Sequence, residues 1–165
     1  MGFLYLMADI KFKNLDKYVA QIEKLNFYAD TYIKDAVYAG GNVVADATKE
    51  ALIALNPDNS PSTVEHRRTI NAKQKAGLIE SFGLAPVRND KGFINVKTGF
   101  DGYNEVITKR WPLGQPNAMI ARAMESGTSF MDKNPIIRKA TNRAKKPCEE
   151  AMRLSFENSI KKLMK

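Results

Sequence analysis

The chain has 165 residues, 44% of them hydrophobic and 27% charged, and a formal net charge of +8. That length suits one domain with a real core, and no apolar stretch approaches the ~18 residues of a membrane span. A single cysteine, Cys148, excludes an intrachain disulfide and suits a reducing compartment, and with His66 as the one histidine no Cys/His zinc site can form within a chain.

The opening "MGFLYLMADIKFK" reads as a first strand or as leader residues ahead of a start at Met7. It lacks the basic segment and small-residue cleavage site of a secretion signal. Asn14 can cap a helix in which Leu15, Tyr18, Val19, Ile22 and Leu25 form one apolar stripe. A second helical pattern runs from about Tyr28 to Leu55, with Ile33, Val37, Val44, Ala47, Ala51 and Leu55 inward and Gly40-Gly41 interrupting it. Adjacent glycines cost a helix roughly 1 kcal/mol each relative to alanine, which implies a kink or a crossing too close for side chains.

Proline, asparagine and serine in "NPDNSPST" make 56–63 a loop, and 56–71 as a whole stands as a loop, flexible or ordered. A helix follows from about Ala72 to Phe82, with Gly83 as the glycine that ends it. The period then changes. Val87, the turn Asn89-Asp90-Lys91-Gly92, and Phe93, Ile94, Val96 and Phe100 give a hairpin. The Gly- and Pro-rich stretch after it leaves room for one short strand, Glu105 to Lys109.

A short helix, Ala118–Ser126, is followed by a break and then by a long C-terminal helix with Asn134 as cap and Pro135 at its first position. Pro147 should kink or split that helix. The order (N-terminal helices, a small antiparallel sheet or hairpin, a long C-terminal helix) predicts a single α+β domain over residues 1–165.

Charge is concentrated at the C-terminal end. From Asn134 onward there are nine Lys or Arg against Glu149, Glu150 and Glu157, which accounts for +6 of the +8. Arg138, Lys139, Arg143, Lys145 and Lys146 are the candidate contacts to an acidic partner or to DNA. The alternative is a solvated basic face on an amphipathic helix, since aromatic interleaving is sparse and no standard nucleic-acid module is present.

No catalytic constellation, cofactor motif or metal-ligand set emerges. "GFDGYN" (99–104) lacks the lysine and the strand–helix context of a phosphate loop, and Gly99 and Gly102 are better read as turn residues that fold Phe100 and Tyr103 onto the core. His66 has Arg67 and Arg68 beside it and reads as a surface histidine. Cys148 reads as a buried, inert thiol.

The break between the last two helices is the most informative stretch. In "ARAMESGTSFMDKNPIIRKA" (121–140) a helix ends at Gly127, Thr128 and Ser129 can satisfy freed backbone groups, and Phe130 and Met131 sit on an exposed loop next to a basic helix. Exposed apolar residues there point to a subunit interface.

The same residues resemble a family. Glu125, Gly127, Thr128, Pro135, Ile136, Ile137 and Arg138 match the C-terminal motif of small siphophage tail-completion, or head–tail joining, proteins of the gene-product-ten-like family. "VKTGFDGYN", "GQPNA" and "IKFKNLDKYVAQIEKL" are also similar to family versions, so the resemblance covers most of the chain. The chain departs from the family in mid-sequence, where only Pro61, Gly77, Leu78 and Ser81 match its pattern, and at Ile136, where an aromatic is usual.

The resemblance implies a non-enzymatic virion protein of a long-tailed phage or prophage, made in the host cytoplasm and built into the virion. It would complete the head-proximal end of the tail as a homo-oligomeric, hexameric ring between the connector and the tail-tube or tail-terminator proteins. DNA in the channel is a further implied contact; a membrane is not. A ring needs two different complementary patches on each copy. The candidates are residues 127–134 with the C-terminal helix (Glu125, Gly127, Thr128, Phe130, Met131, Pro135, Ile137, Arg138) and the 86–103 hairpin (Phe100, Tyr103). The rival readings are a basic nucleic-acid-binding protein and a small hydrolase or nuclease using His66.

Overall fold

Forty consecutive residues without a proline, Leu15–Ala54, form α1, about 60 Å of continuous helix at 1.5 Å per residue. The computed structural model describes residues 15–61, 63, 66 and 68–164. The expected first strand or leader, the Met7 start and the Asn14 cap lie outside these residues.

Two helical patterns thus join into one, because nothing between Leu25 and Tyr28 breaks a helix. At Gly40-Gly41 the close crossing wins over the kink. A Cβ on Gly40 would lie 2.5 Å from Met152 Cγ and 2.9 Å from Cys148 Sγ; one on Gly41 would lie 2.7 Å from both Leu84 Cδ2 and Val96 Cγ1. The two glycines therefore let α1 touch different partners on two sides at one level.

The remaining elements are α2 (Ala72–Ser81), β1 (Phe82–Leu84), β2 (Arg88–Asp90), β3 (Phe93–Asn95), β4 (Thr98–Phe100), α3 (Asn117–Ser126) and α4 (Ile136–Leu163). The architecture is α+β, with α4 lying antiparallel along α1. Asn71 and Gln74 start α2 with a reciprocal capping box.

The strands form one interrupted ribbon of two antiparallel pairs, β2 with β3 inside and β1 with β4 outside. Its tip is a two-residue turn in which Lys91 (φ 55°) and Gly92 (φ 90°) both take left-handed backbone, the twist that suits a tight hairpin. The glycine expected to end α2 is instead Gly83 of β1: α2 stops at Ser81 and Phe82 is already extended, paired with Phe100 at a ring distance of 4.9 Å. Glu105–Lys109 is not a strand; Thr108 and Trp111 exchange backbone hydrogen bonds in a tight turn there.

The core sits at the C-terminal end of α1. Leu52, Ile70, Leu78 and Met124 are fully buried, joined by Ala45, Phe82, Ile120, Ala121 and Met131. The loop before α2 is tied in by Ile70 and by Asp58, whose N–H donates to the Ile70 carbonyl at 2.9 Å. Pro147 does not split α4. Ala144 before it is buried and Cys148 after it abuts Gly40, so α1 holds both sides of the helix in line across the missing hydrogen bond.

Candidate subunit interface

The break between α3 and α4 is a built joint. Gly127 takes φ 77° and ψ 160°, a region open in practice only to glycine, while its N–H still donates to the Ala123 carbonyl. This is not the left-handed helical turn expected from the sequence, but it demands glycine as firmly. Thr128 and Met131 then exchange backbone hydrogen bonds, leaving Ser129 and Phe130 at the tip, and Thr128 Oγ1 accepts from the Phe130 N–H at 3.2 Å. Met131 is strand-bridged to Arg68 and the Asn134 N–H donates to the Met124 carbonyl, so both ends of the loop are fixed.

Pro135, not Asn134, holds the cap position of α4 and offers it no side-chain bond. The cap comes from α3. Glu125 accepts from the Ile137 N–H at 2.7 Å and from the Arg138 N–H at 3.3 Å, so one carboxylate closes two of the free donors at the positive end of the helix. Removing it should cost about 1–2 kcal/mol, the range for a lost N-cap with its dipole interaction. Glu125→Ala is therefore expected to lower the unfolding free energy by that amount, a drop of roughly 0.5–1 M in the urea midpoint, with Glu125→Gln in between. An alanine variant within error of wild type would remove the capping role.

The fold divides the sequence candidates into two sets. Met131 was expected on the surface with Phe130, but it is 8% exposed and part of the core, because the turn it closes points it inward. Glu125 and Gly127 are engaged in the joint, Pro135 and Ile137 are half-buried, and Phe100 is half-buried against Phe82. Four candidates remain at the surface: Thr128, Phe130 (68% exposed), Arg138 and Tyr103 (60% exposed). Phe130 and Arg138 flank the joint, whereas Tyr103 lies where the segment after the ribbon bridges to Pro116.

Charge on α4 is split along its length. In the last turns Arg153 bonds Glu150 and Glu157, and Lys161 lies 3.9 Å from Glu157. In the first half, Arg138, Lys139, Arg143, Lys145 and Lys146 are all exposed. Among the described residues, none of these five has a carboxylate within ion-pair distance. Glu125 already meets the positive end of the helix dipole, so it is the five cations themselves that make this half attractive to an anionic group.

Sequence reasoning missed a groove beside this basic half. Val43, Ala47, Ala51 and Leu55 of α1 and its end face Ile136, Ala140, Ala144 and Pro147 of α4 across an open cleft of about 890 Å³. Lys139 and Arg143 stand on one rim and Glu50 on the other. The signal was present as alanines at helical spacing on two helices, which leaves room between them.

His66 stands in a small polar clasp. Its Nε2 lies 3.0 Å from both Asp58 Oδ2 and Ser60 Oγ. Both partners meet the same ring nitrogen, whereas a nucleophilic relay uses the two nitrogens for two partners. Hydrogen bonds from Ser60 hold the Asp58 carboxyl below the usual range, with His66 adding to the effect. Burial raises the Cys148 thiol above its ordinary pKa, away from the thiolate a nucleophile needs. No cluster of three metal-ligating side chains occurs among the described residues, and no described helix is long and apolar enough to cross a membrane.

Comparison of the chain with protein-family models, curated proteins and solved structures gave no match. The functional reading therefore rests on the residues and their geometry.

Proposed function

We propose that this chain is a virion structural protein of a long-tailed phage or prophage, completing the head-proximal end of the tail as a ring. The observation that carries the reading is Phe130, a 68% exposed aromatic on a loop fixed at both ends, next to the basic half of α4, whose cations have no ion-pair partner among the described residues. Large aromatics and arginines are the residue types that dominate subunit contacts. The motif around them resembles that of tail-completion proteins. In this reading Phe130 and Arg138 meet a neighbouring copy or ring, and the connector and tail-tube or terminator proteins lie above and below.

A second reading, a basic nucleic-acid-binding protein, draws on the five exposed cations of the first half of α4. DNA in the channel would meet the same face.

The test is light scattering across concentration and salt, with and without purified tail tubes. Ring-sized species or binding to tube ends is the expected result. Phe130→Ala and Arg138→Glu should each weaken that binding about 30-fold, the equivalent of roughly 2 kcal/mol at an interface anchor. A monomer that ignores tails but binds DNA with affinity falling steeply as salt rises would move the assignment to the second reading.

A further inference from the structure

The α1–α4 pair is unequal in length, and the excess is apolar. The 28 residues of α4 cover about 42 Å of the 60 Å of α1. Because α4 begins beside the end of α1 and runs antiparallel, Leu163 comes level with roughly residue 27. The first three turns of α1 therefore extend past it.

Along α1 the line facing α4 includes Ala36, Gly40, Val43, Ala47 and Ala51. Stepped back by three and four residues, the same line passes through Ile33, Ala29, Leu25, Ile22 and Tyr18. Within the overhang, Tyr18 is 60% exposed, Val19 46% and Ile22 66%. Among the described residues nothing covers this stripe. At the other end of the helix pair the complementary defect occurs: a groove floored by alanines, with no described side chain filling it. A continuous helix holds the two features tens of ångströms apart, so one copy cannot use its own stripe to fill its own groove.

We infer that the two features meet between copies: the Tyr18–Val19–Ile22 stripe of one chain seats in the α1–α4 groove of the next. A third helix laid between two others packs apolar knobs into the spaces small residues leave. Charge favours this pairing. Residues 15–30 carry Asp16, Glu23 and Asp30 against Lys17 and Lys24, while the groove sets Lys139 and Arg143 on its α4 rim against Glu50 on its α1 rim and lies in the basic half of α4. Groove against groove would set those cations against each other, and overhang against overhang would leave the groove unfilled. Head-to-tail seating uses both patches on every copy, the arrangement that closes into a ring or runs on as a filament. The contact deepens the proposed ring, and rests on that reading only for its closure.

The experiment is disulfide trapping in a Cys148→Ser background, a near-isosteric change at the lone cysteine. Ile22→Cys and Ala47→Cys proteins, each checked for helical content by circular dichroism, are mixed and oxidised. The expected product is a covalent pair joining the two variants, in clear excess over an Ile22→Cys mixture with Leu113→Cys, whose position is 84% exposed and not among the groove residues. A chain carrying both Ile22→Cys and Ala47→Cys should give a ladder of multimers. Dimers of Ile22→Cys alone, without the mixed pair, would overturn the inference in favour of paired overhangs. Ring-sized particles without the mixed pair would overturn this contact and leave the ring reading standing. Absence of the mixed pair together with absence of rings and of tail binding would overturn both.

Discussion

Gly114→Ala is expected to lower stability by about 3–5 kcal/mol, the sum of a backbone-strain and an overpacking penalty. Gly114 is buried at φ 99°, and a Cβ there would stand 2.0 Å from the Asn104 carbonyl oxygen. That oxygen has little freedom to retreat. The Asn104 N–H donates to the Gln115 carbonyl at 2.9 Å, its side chain packs against Gly77 and accepts from the Val106 N–H, and the residue is 4% exposed. Against a total of about 5–15 kcal/mol for a domain, such a loss moves the urea midpoint by more than about 1 M or abolishes the transition. Gly92→Ala is the control. It has φ 90° but open space around it, so only the backbone strain of about 1–2 kcal/mol should appear. Equal effects at the two positions would show that the Asn104 contact carries no weight.

The second large effect is expected at the helix crossing. Gly40→Val gains a few tenths of a kcal/mol of helix propensity and drives carbon into Met152 and Cys148, an overpacking that costs about 1–3 kcal/mol or more. The net expectation is a loss of about 2–3 kcal/mol in denaturant unfolding. The sign should reverse when room is made. In a Met152→Ala/Cys148→Ala background, Gly40→Ala loses its obstacles and should recover up to about 1 kcal/mol of helix propensity. The coupling between positions 40 and 152 is then measurable by a double-mutant cycle. A cost below about 0.5 kcal/mol for Gly40→Val, the range of an ordinary surface change, would mean that α1 and α4 do not touch there.

What the sequence disclosed depended on how local the cause was. The Asn89–Gly92 turn, the start of α2 at Ala72 and the demand for glycine at position 127 are set by neighbouring residues, and each was legible to within a residue or so. Gly40-Gly41 announced an exception, but only the packed partners decided between kink and crossing. Glu125 matched a motif without revealing its task, since the donors it satisfies belong to residues 12 and 13 positions away. Met131 was misplaced because one turn of backbone decides which of two adjacent apolar side chains faces inward. The groove escaped notice because an alanine pattern signals close packing and unfilled space equally well until both helices are placed. Gly83 ended up in a strand because Phe82 leaves the helix to pair with Phe100.

The fixed loop at residues 128–131 also bears on how fast any contact can form. Ordering a backbone residue opposes association by about 1–2 kcal/mol, and a loop that must be ordered on contact slows capture or weakens it. Here Thr128 and Met131 are already bonded to each other, and the Asp132 and Asn134 N–H groups tie the loop to the Arg68 and Met124 carbonyls. A partner that grips Phe130 meets a loop whose backbone is already in place. The success of an encounter is then set by orientation and charge, with no waiting for the loop to order.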